Sequence, residues 1–138
     1  MTKSDLYDFV SRHPLAVLGT SSPSGEPEAA LMRTVVTPEL ELIFDTRTST
    51  RKYRNFLANP VCTFVIGCTG PASVQYEGNL VAPTGEELAR TKALYIAAVP
   101  AGRERESLPD VAWLVARPKW IRYSDYSCQP PCIEEFTF

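Results

Sequence analysis

The segment Phe44-Asp45-Thr46-Arg47-Thr48-Ser49-Thr50-Arg51-Lys52 places four side-chain hydroxyls and three cations between the end of an apolar run and the start of a helical pattern. Hydroxyl donors, cations and the free N–H groups of a helix start are what a phosphate needs, and the helix dipole favours negative charge at the same point. Thr46, Ser49, Thr50, Arg51 and Lys52 are the candidate ligands. The plain alternative is a solvated helix cap with surface Arg and Lys, because helix N-caps are commonly Ser or Thr. Upstream, the strand-like run Pro27 to Thr37 carries a single arginine, Arg33, in its middle. A strand does not normally hold an unpaired charge there, so Arg33 joins the candidates for contact with an anion.

Other chemistry is sparse. The only histidine, His13, stands beside Pro14 at the end of a terminal helix, and no close acidic pair falls on the pocket strands. Neither a Ser-His-Asp arrangement nor a paired-carboxylate site can be drawn, and no catalytic residue is assigned. Chemistry supplied by a bound cofactor explains that absence. Cys128 and Cys132 flank Gln129-Pro130-Pro131 and suit a local disulfide or half of a metal site, or else a mobile tail with two free thiols. Zinc needs about four ligands, and its spacing signatures are missing, so no metal is expected. Cys62 and Cys68 fall in an apolar run, where buried reduced thiols are the ordinary outcome.

With 138 residues and 44% hydrophobic content, the chain suits one domain over 1–138 with a modest core. Fourteen basic against sixteen acidic residues leave a net charge of -2, which gives no global field for nucleic acid or anionic lipid. No apolar stretch approaches the roughly 20 residues that span a bilayer, and the opening residues lead into an amphipathic segment. A cytoplasmic protein is expected.

The elements that must position the candidates follow from periodicity and turn chemistry. Residues 1–14 hold a short helix, Ser4 to His13, capped by Ser4 and ended by Pro14. Strands are expected at Leu15–Thr20, Ala29–Thr37, Leu40–Phe44, Val61–Gly67, Ser73–Ala82, Val111–Ala116 and Trp120–Tyr123. A helix from about Ser49 to Ala58 points its start at the candidate phosphate. Thr84 and Glu87 form a capping box that opens another helix toward Pro100. Ala101–Pro109, with Arg103-Glu104-Arg105-Glu106, reads as an exposed charged loop, and residues 124–138 as a C-terminal tail. Gly78-Asn79 is a plausible bulge that lets a sheet curl. The fold class is mainly β: a six- to seven-stranded antiparallel Greek-key barrel with inserted helices, without the βαβ alternation of a doubly wound sheet.

From about Leu15 to Tyr123 the chain resembles the pyridoxamine 5'-phosphate oxidase-like proteins, whose fold is the FMN-binding split barrel. Arg33-Thr34-Val35-Val36 resembles the family's Arg-x-Val segment, and Phe44-x-Thr46 followed by Thr50-Arg51-Lys52 resembles its Phe-x-Thr and Ser-Arg-Lys pair. The resemblance implies that Arg33, Thr46, Thr50, Arg51 and Lys52 hold the FMN phosphate, while the Arg33, Thr34, Val35 and Val36 backbone meets the flavin ring. It also implies a homodimer with flavin at the interface, for which Trp113, Trp120, Tyr123 and Tyr126 are suitable aromatic material. Two departures stand out. The family's Gln-x-Arg-x-x-Gly strand reads Ser73-Val74-Gln75-Tyr76-Glu77-Gly78 here, and no histidine accompanies Arg122, so the substrate-gripping Arg-x-His pair of vitamin B6 oxidases is absent.

The expected function is an FMN-dependent oxidoreductase acting on an unidentified small molecule. The alternatives are a non-catalytic module for flavin, deazaflavin or heme, and a structural barrel with a decorated helix cap.

Overall fold

The computed structural model describes residues 1–138. In chain order the elements are α1 (Lys3–Ser11), β1 (Leu15–Ser21), β2 (Pro27–Arg33), β3 (Val35–Val36), β4 (Leu42–Arg47), α2 (Arg51–Ala58), β5 (Val61–Ile66), β6 (Ala72–Val81), α3 (Gly85–Ala98), a 3-10 turn (Pro100–Arg105), β7 (Val111–Asp125) and β8 (Cys132–Thr137). All strand pairs are antiparallel, in the order β2-β1-β5-β6-β7-β4-β3, with β8 added on β7. This is the expected mainly-β split barrel.

The barrel closes through one chain segment. β2 pairs with β1 as far as Arg33 opposite Leu15, and two residues later Val35 lies opposite Ile43 of β4. Residues 27–36 therefore sit on both margins of the curled sheet. Between them Thr34 leaves both ladders, and its N–H donates to the Pro14 carbonyl at 2.7 Å. The single expected strand from Ala29 to Thr37 is thus two strands, because a chain that changes sheet margin has to break its pairing.

Strict alternation builds the interior. Along β1, Ala16, Leu18 and Thr20 point in, and along β5 Cys62, Phe64 and Ile66 do the same. Phe64 is packed edge-on between Phe44 at 6.0 Å and Tyr76 at 5.7 Å, a favoured aromatic geometry. Leu6, Phe9 and Val10 of α1 belong to this core, which is why the terminal helix is firmly seated. α3 packs on another face, with Tyr95 and Ile96 against Ile43, Trp113 and Val115. Trp113 is therefore core, while Trp120 is half-buried and Tyr126 exposed. No helix is long and apolar enough to cross a membrane.

Several expectations are corrected. Residues 124–138 are not a tail: Cys132–Thr137 form β8, in register with Trp120–Asp125, and Phe136 packs on the core. An exposed edge strand with Glu134 and Glu135 lacks the alternation that marks a half-buried one. The two strands expected around Arg117-Pro118-Lys119 are one, β7, because Pro118 falls where the register with β6 shifts between Glu77 and Gly78. A bulge is a place where a strand tolerates a missing N–H. The expected bulge near Gly78 is therefore present, and a Cβ there would run into the Arg117 carbonyl.

β4 starts at Leu42 rather than Leu40, because Leu40 turns the chain with φ 64° while its side chain stays buried. Thr2, not Ser4, caps α1, sharing a reciprocal capping box with Asp5. Thr84 stands at the N-cap of α3, but its side chain makes no capping hydrogen bond. Cys62 is buried as expected, and burial pushes its thiol up to about 12. Cys68 is exposed, because β5 ends at Ile66 and Gly67 turns out of it with φ 85°.

Two substitutions test this frame. The buried Tyr76 hydroxyl donates to the Leu40 carbonyl (3.1 Å) and the Ala116 carbonyl (2.9 Å), tying the left-handed turn to the core. Tyr76→Phe should lower the unfolding free energy by about 1–3 kcal/mol in urea titration. Gly78→Ala should cost about 1–3 kcal/mol by the same measurement, since the carbonyl it meets is backbone and cannot rotate away.

Candidate functional site

The end of β4 and the start of α2 form the first part of the site. Thr50 is the N-cap, its Oγ1 accepting from Tyr53 N at 3.4 Å. The same hydroxyl lies 2.9 Å from Thr46 Oγ1, and also donates to the Arg47 carbonyl at 2.9 Å. Ser49, Thr50, Arg51 and Lys52 line a recess of about 350 Å³ with Leu18 and Thr20 of β1 and Glu28, Ala29 and Ala30 of β2. The free N–H groups of α2 lie at this end of the helix.

A carboxylate inside an anion recess needs neutralising. Glu28 pairs with Arg51 at 3.1 Å and with Arg54 at 3.9 Å, and accepts from Asn55 Nδ2 at 2.7 Å. One negative and two positive groups already leave an excess of one cation. Lys52, which has neither an acidic partner nor a hydrogen bond, adds a second. Asn55 is fully buried, with its Nδ2 also donating to Thr20 Oγ1 at 3.0 Å, and so fixes α2 against the β1–β2 hairpin.

Glu28, Asn55 and Thr20 were not singled out from sequence. The one local signal was Glu28, an acidic residue leading into the small apolar pair Ala29-Ala30, whereas Asn55 and Thr20 are linked to each other only by the fold.

The second part of the site is the strand break. Arg33, Thr34, Val35 and Val36 line a recess of about 300 Å³ with Tyr7, Val10 and Ser11 of α1, Pro14, and Ala98 and Val99 at the end of α3. β3 is hydrogen-bonded on one side only, so its other margin carries backbone groups without ladder partners. Arg33 is exposed and has no acidic partner. It lies near Tyr95, whose phenol is raised chiefly by burial and then by the Asp45 charge, with Arg33 and Arg105 opposing.

Within one chain, the structure groups the sequence candidates in two. Thr46, Ser49, Thr50, Arg51 and Lys52 gather at the start of α2, while Arg33, Thr34, Val35 and Val36 gather at the break. The recesses that hold them are different ones.

Arg33 and Pro14 also border a third recess, of about 370 Å³, with Arg12, His13, Leu15, Leu31, Gly67, Cys68 and Thr69. It contains no acidic residue. His13 Nδ1 lies 2.8 Å from the Phe9 carbonyl, and because a carbonyl only accepts, Nδ1 carries the hydrogen and Nε2 is the free nitrogen. The charged loop is partly ordered against β4: Arg105 Nε donates to Asp45 Oδ2 at 2.6 Å, in contrast to the exposed loop that the sequence suggests.

Comparison with known proteins agrees with this fold. A heme-binding protein from Mycobacterium smegmatis superposes with a TM-score of 0.85 at 19% identity, over 99% of this chain and 58% of that one. A pyridoxamine 5'-phosphate oxidase-related, FMN-binding protein from Nostoc punctiforme gives 0.76 at 12% identity, over 98% and 95% of the two chains. General Stress Protein 26 from Bacillus anthracis gives 0.74 at 16% identity, over 97% and 98%. The chain spans little more than half the length of the Mycobacterium protein and 55% of an Agrobacterium tumefaciens protein that it also resembles. No curated protein matches it. Sequence comparison matches residues 3–125 to the family described as Pyridoxamine 5'-phosphate oxidase, a span that takes in both parts of the site, and the chain belongs to that family.

Proposed function

We propose that this protein binds FMN as a homodimer and acts as a flavin-dependent oxidoreductase on a small molecule, in the cytoplasm. The observation that carries the reading is the Thr46–Thr50 hydroxyl pair at the start of α2, beside the unpaired Lys52. Hydroxyls, a free cation and helix N–H groups suit a phosphate, and the surplus of positive charge over Glu28 keeps the recess attractive to one. Thr46, Ser49, Thr50, Arg51 and Lys52 would hold the phosphate, while Arg33, which lines the strand-break recess instead, would add positive charge at the opening. The unpaired margin of β3, with Val35 and Val36, suits the polar rim of a flat ring whose faces are apolar. Bound flavin would supply the hydride and electron chemistry. The chain's part is to orient the ring, neutralise the phosphate and exclude water.

A second copy is part of the proposal. The outer face of β2, β1 and β5 exposes Leu31 (68%), Leu15 (49%), Val61 (49%) and Val65 (44%). Val17 joins them, lying opposite both Leu31 and Val65. A contiguous apolar sheet face rimmed by Arg12 and Arg33 suits a self-association surface. It adjoins the strand break, so a partner packed there would cover the flavin recess.

A deazaflavin with the same phosphate-bearing tail would use the same groups. A heme-binding module is the second reading, favoured by the free Nε2 of His13 in a recess with Arg12 and Arg33, where imidazole meets iron and guanidinium meets propionate.

Titration of the apo-protein with FMN and with hemin, followed by flavin fluorescence and Soret absorption, separates the readings. FMN should bind and hemin should not compete with it. Hemin binding that His13→Ala abolishes, without FMN binding, would favour the second reading. Arg33→Ala combined with Lys52→Ala should weaken FMN by about one to three orders of magnitude, one charge-assisted hydrogen bond of roughly 1.5–3 kcal/mol and a positive charge at the opening being lost. Thr50→Ala removes one neutral hydroxyl and a helix cap, so FMN affinity should fall about fivefold and stability by about 1 kcal/mol.

A further inference from the structure

The third recess, of about 370 Å³, gathers positive charge that no acid of the chain neutralises. Arg47, Arg51, Arg54, Arg105, Arg117 and Arg122 each lie within 4.0 Å of a carboxylate oxygen, whereas Arg12 and Arg33 have no acidic partner and line this one opening. Two like charges around one opening repel each other, and an anion between them replaces that repulsion with attraction.

The fold sets these groups side by side. Arg12 is the C-cap of α1, and two residues later the Pro14 carbonyl accepts from Thr34 N at 2.7 Å, which brings Arg33, next to Thr34, against the end of the helix. In the β1–β2 ladder Arg33 lies opposite Leu15, and Leu31 is two residues before it, so the three side chains share the outer face of the sheet. Both leucines are exposed and line the recess beside the guanidinium groups. On the other side Gly67 turns the chain with φ 85°, and a Cβ there would meet Phe9 Cζ at 2.8 Å, so glycine is what lets this turn pass so close to α1. His13 stacks on Phe9 with ring centres 4.3 Å apart, and its Nε2, in the neutral ring, only accepts. The cationic donors of the recess are therefore the two arginines.

We propose that this recess binds a small organic carboxylate with an apolar body, the carboxylate held by Arg12 and Arg33 and the body lying against Leu15 and Leu31. Guanidinium forks match the two oxygens of a carboxylate, and the leucines give the body a surface to cover. The acid is a carboxylate rather than a phosphate because α1 presents its C-terminal, negative end here and opposes a second negative charge, the reverse of the start of α2. Arg33 and Pro14 line both this recess and the strand-break recess, so an acid held here lies beside the place given to the flavin ring. Such acids are then the substrate class of the oxidoreductase. That last step rests on the flavin reading, and the carboxylate site itself does not.

The test titrates the full chain, first without flavin and then with FMN bound, with benzoate, benzamide and phenyl phosphate. It is read by calorimetry and by the proton resonances of His13, the chain's only histidine and part of the recess wall. Benzoate should bind both forms, move the His13 resonances, and bind about tenfold or more tightly than benzamide, which carries the same ring without the charge. With FMN bound, benzoate should also shift the flavin absorption. Arg12→Ala should weaken benzoate by about tenfold and Arg12→Lys by less, with FMN affinity unchanged in both, since Arg12 lines neither recess of the flavin site. Benzoate binding without FMN binding would uphold the carboxylate site and overturn its role beside a flavin, as would benzoate binding that leaves the flavin spectrum unmoved. FMN binding without benzoate binding, as when a second copy seals the recess, would overturn the site and leave the flavin reading standing. Equal affinity for benzoate and benzamide, tighter binding of phenyl phosphate, or unmoved His13 resonances would overturn it too.

Discussion

The break at Thr34 is the constraint on which the architecture depends. One chain segment supplies both margins of the curled sheet, and its passage from one to the other is secured by a hydrogen bond from Thr34 N to Pro14 O. Pairing stops there on both sides, so a short stretch of backbone is left with groups that the ladders do not satisfy. Buried backbone of this kind needs partners, and a flat heteroaromatic edge is a chemically suitable one. The same departure brings Arg33 to the rim without an acidic partner, and sets the C-terminal ends of α1 and α3 around the opening.

Electrostatics at the start of α2 depend on a small local balance rather than on the chain's overall charge, which is negative. Glu28 is taken up by Arg51, Arg54 and Asn55, which converts a repulsive carboxylate into a fastener between α2 and the β1–β2 hairpin. Lys52 is then left without a partner beside the Thr46–Thr50 hydroxyl pair. A cluster read from sequence as five similar ligands is divided between Arg51, which is paired with Glu28, the hydrogen-bonded Thr46 and Thr50, and Lys52, which has no partner.

Much of this was legible before the fold was known, because the deciding signals are local. Pro14, Pro38 and Asn59-Pro60 punctuate the chain where elements end, and Tyr53, Phe56 and Leu57 keep helical spacing while Cys62, Phe64 and Ile66 alternate. Features that depend on distant partners were not legible. Leu40 adopts a left-handed conformation because the Tyr76 hydroxyl and the core hold it, and β8 exists because β7 offers it a ladder. Asn55 reads as a surface helix residue until Thr20 and Glu28, far away in sequence, are seen to claim its amide. Pro118 reads as a strand terminator until the bulge opposite Gly78 makes room for it.

The central claim is that a phosphate anchors the ligand at the start of α2, near the unsatisfied strand margin. Isothermal titration of the same protein with FMN and with riboflavin, which differ only in that phosphate, tests it most directly. The account predicts FMN binding tighter by about a hundredfold or more, the worth of one to two charge-assisted hydrogen bonds. Equal affinities for the two, or a preference for riboflavin, would contradict it.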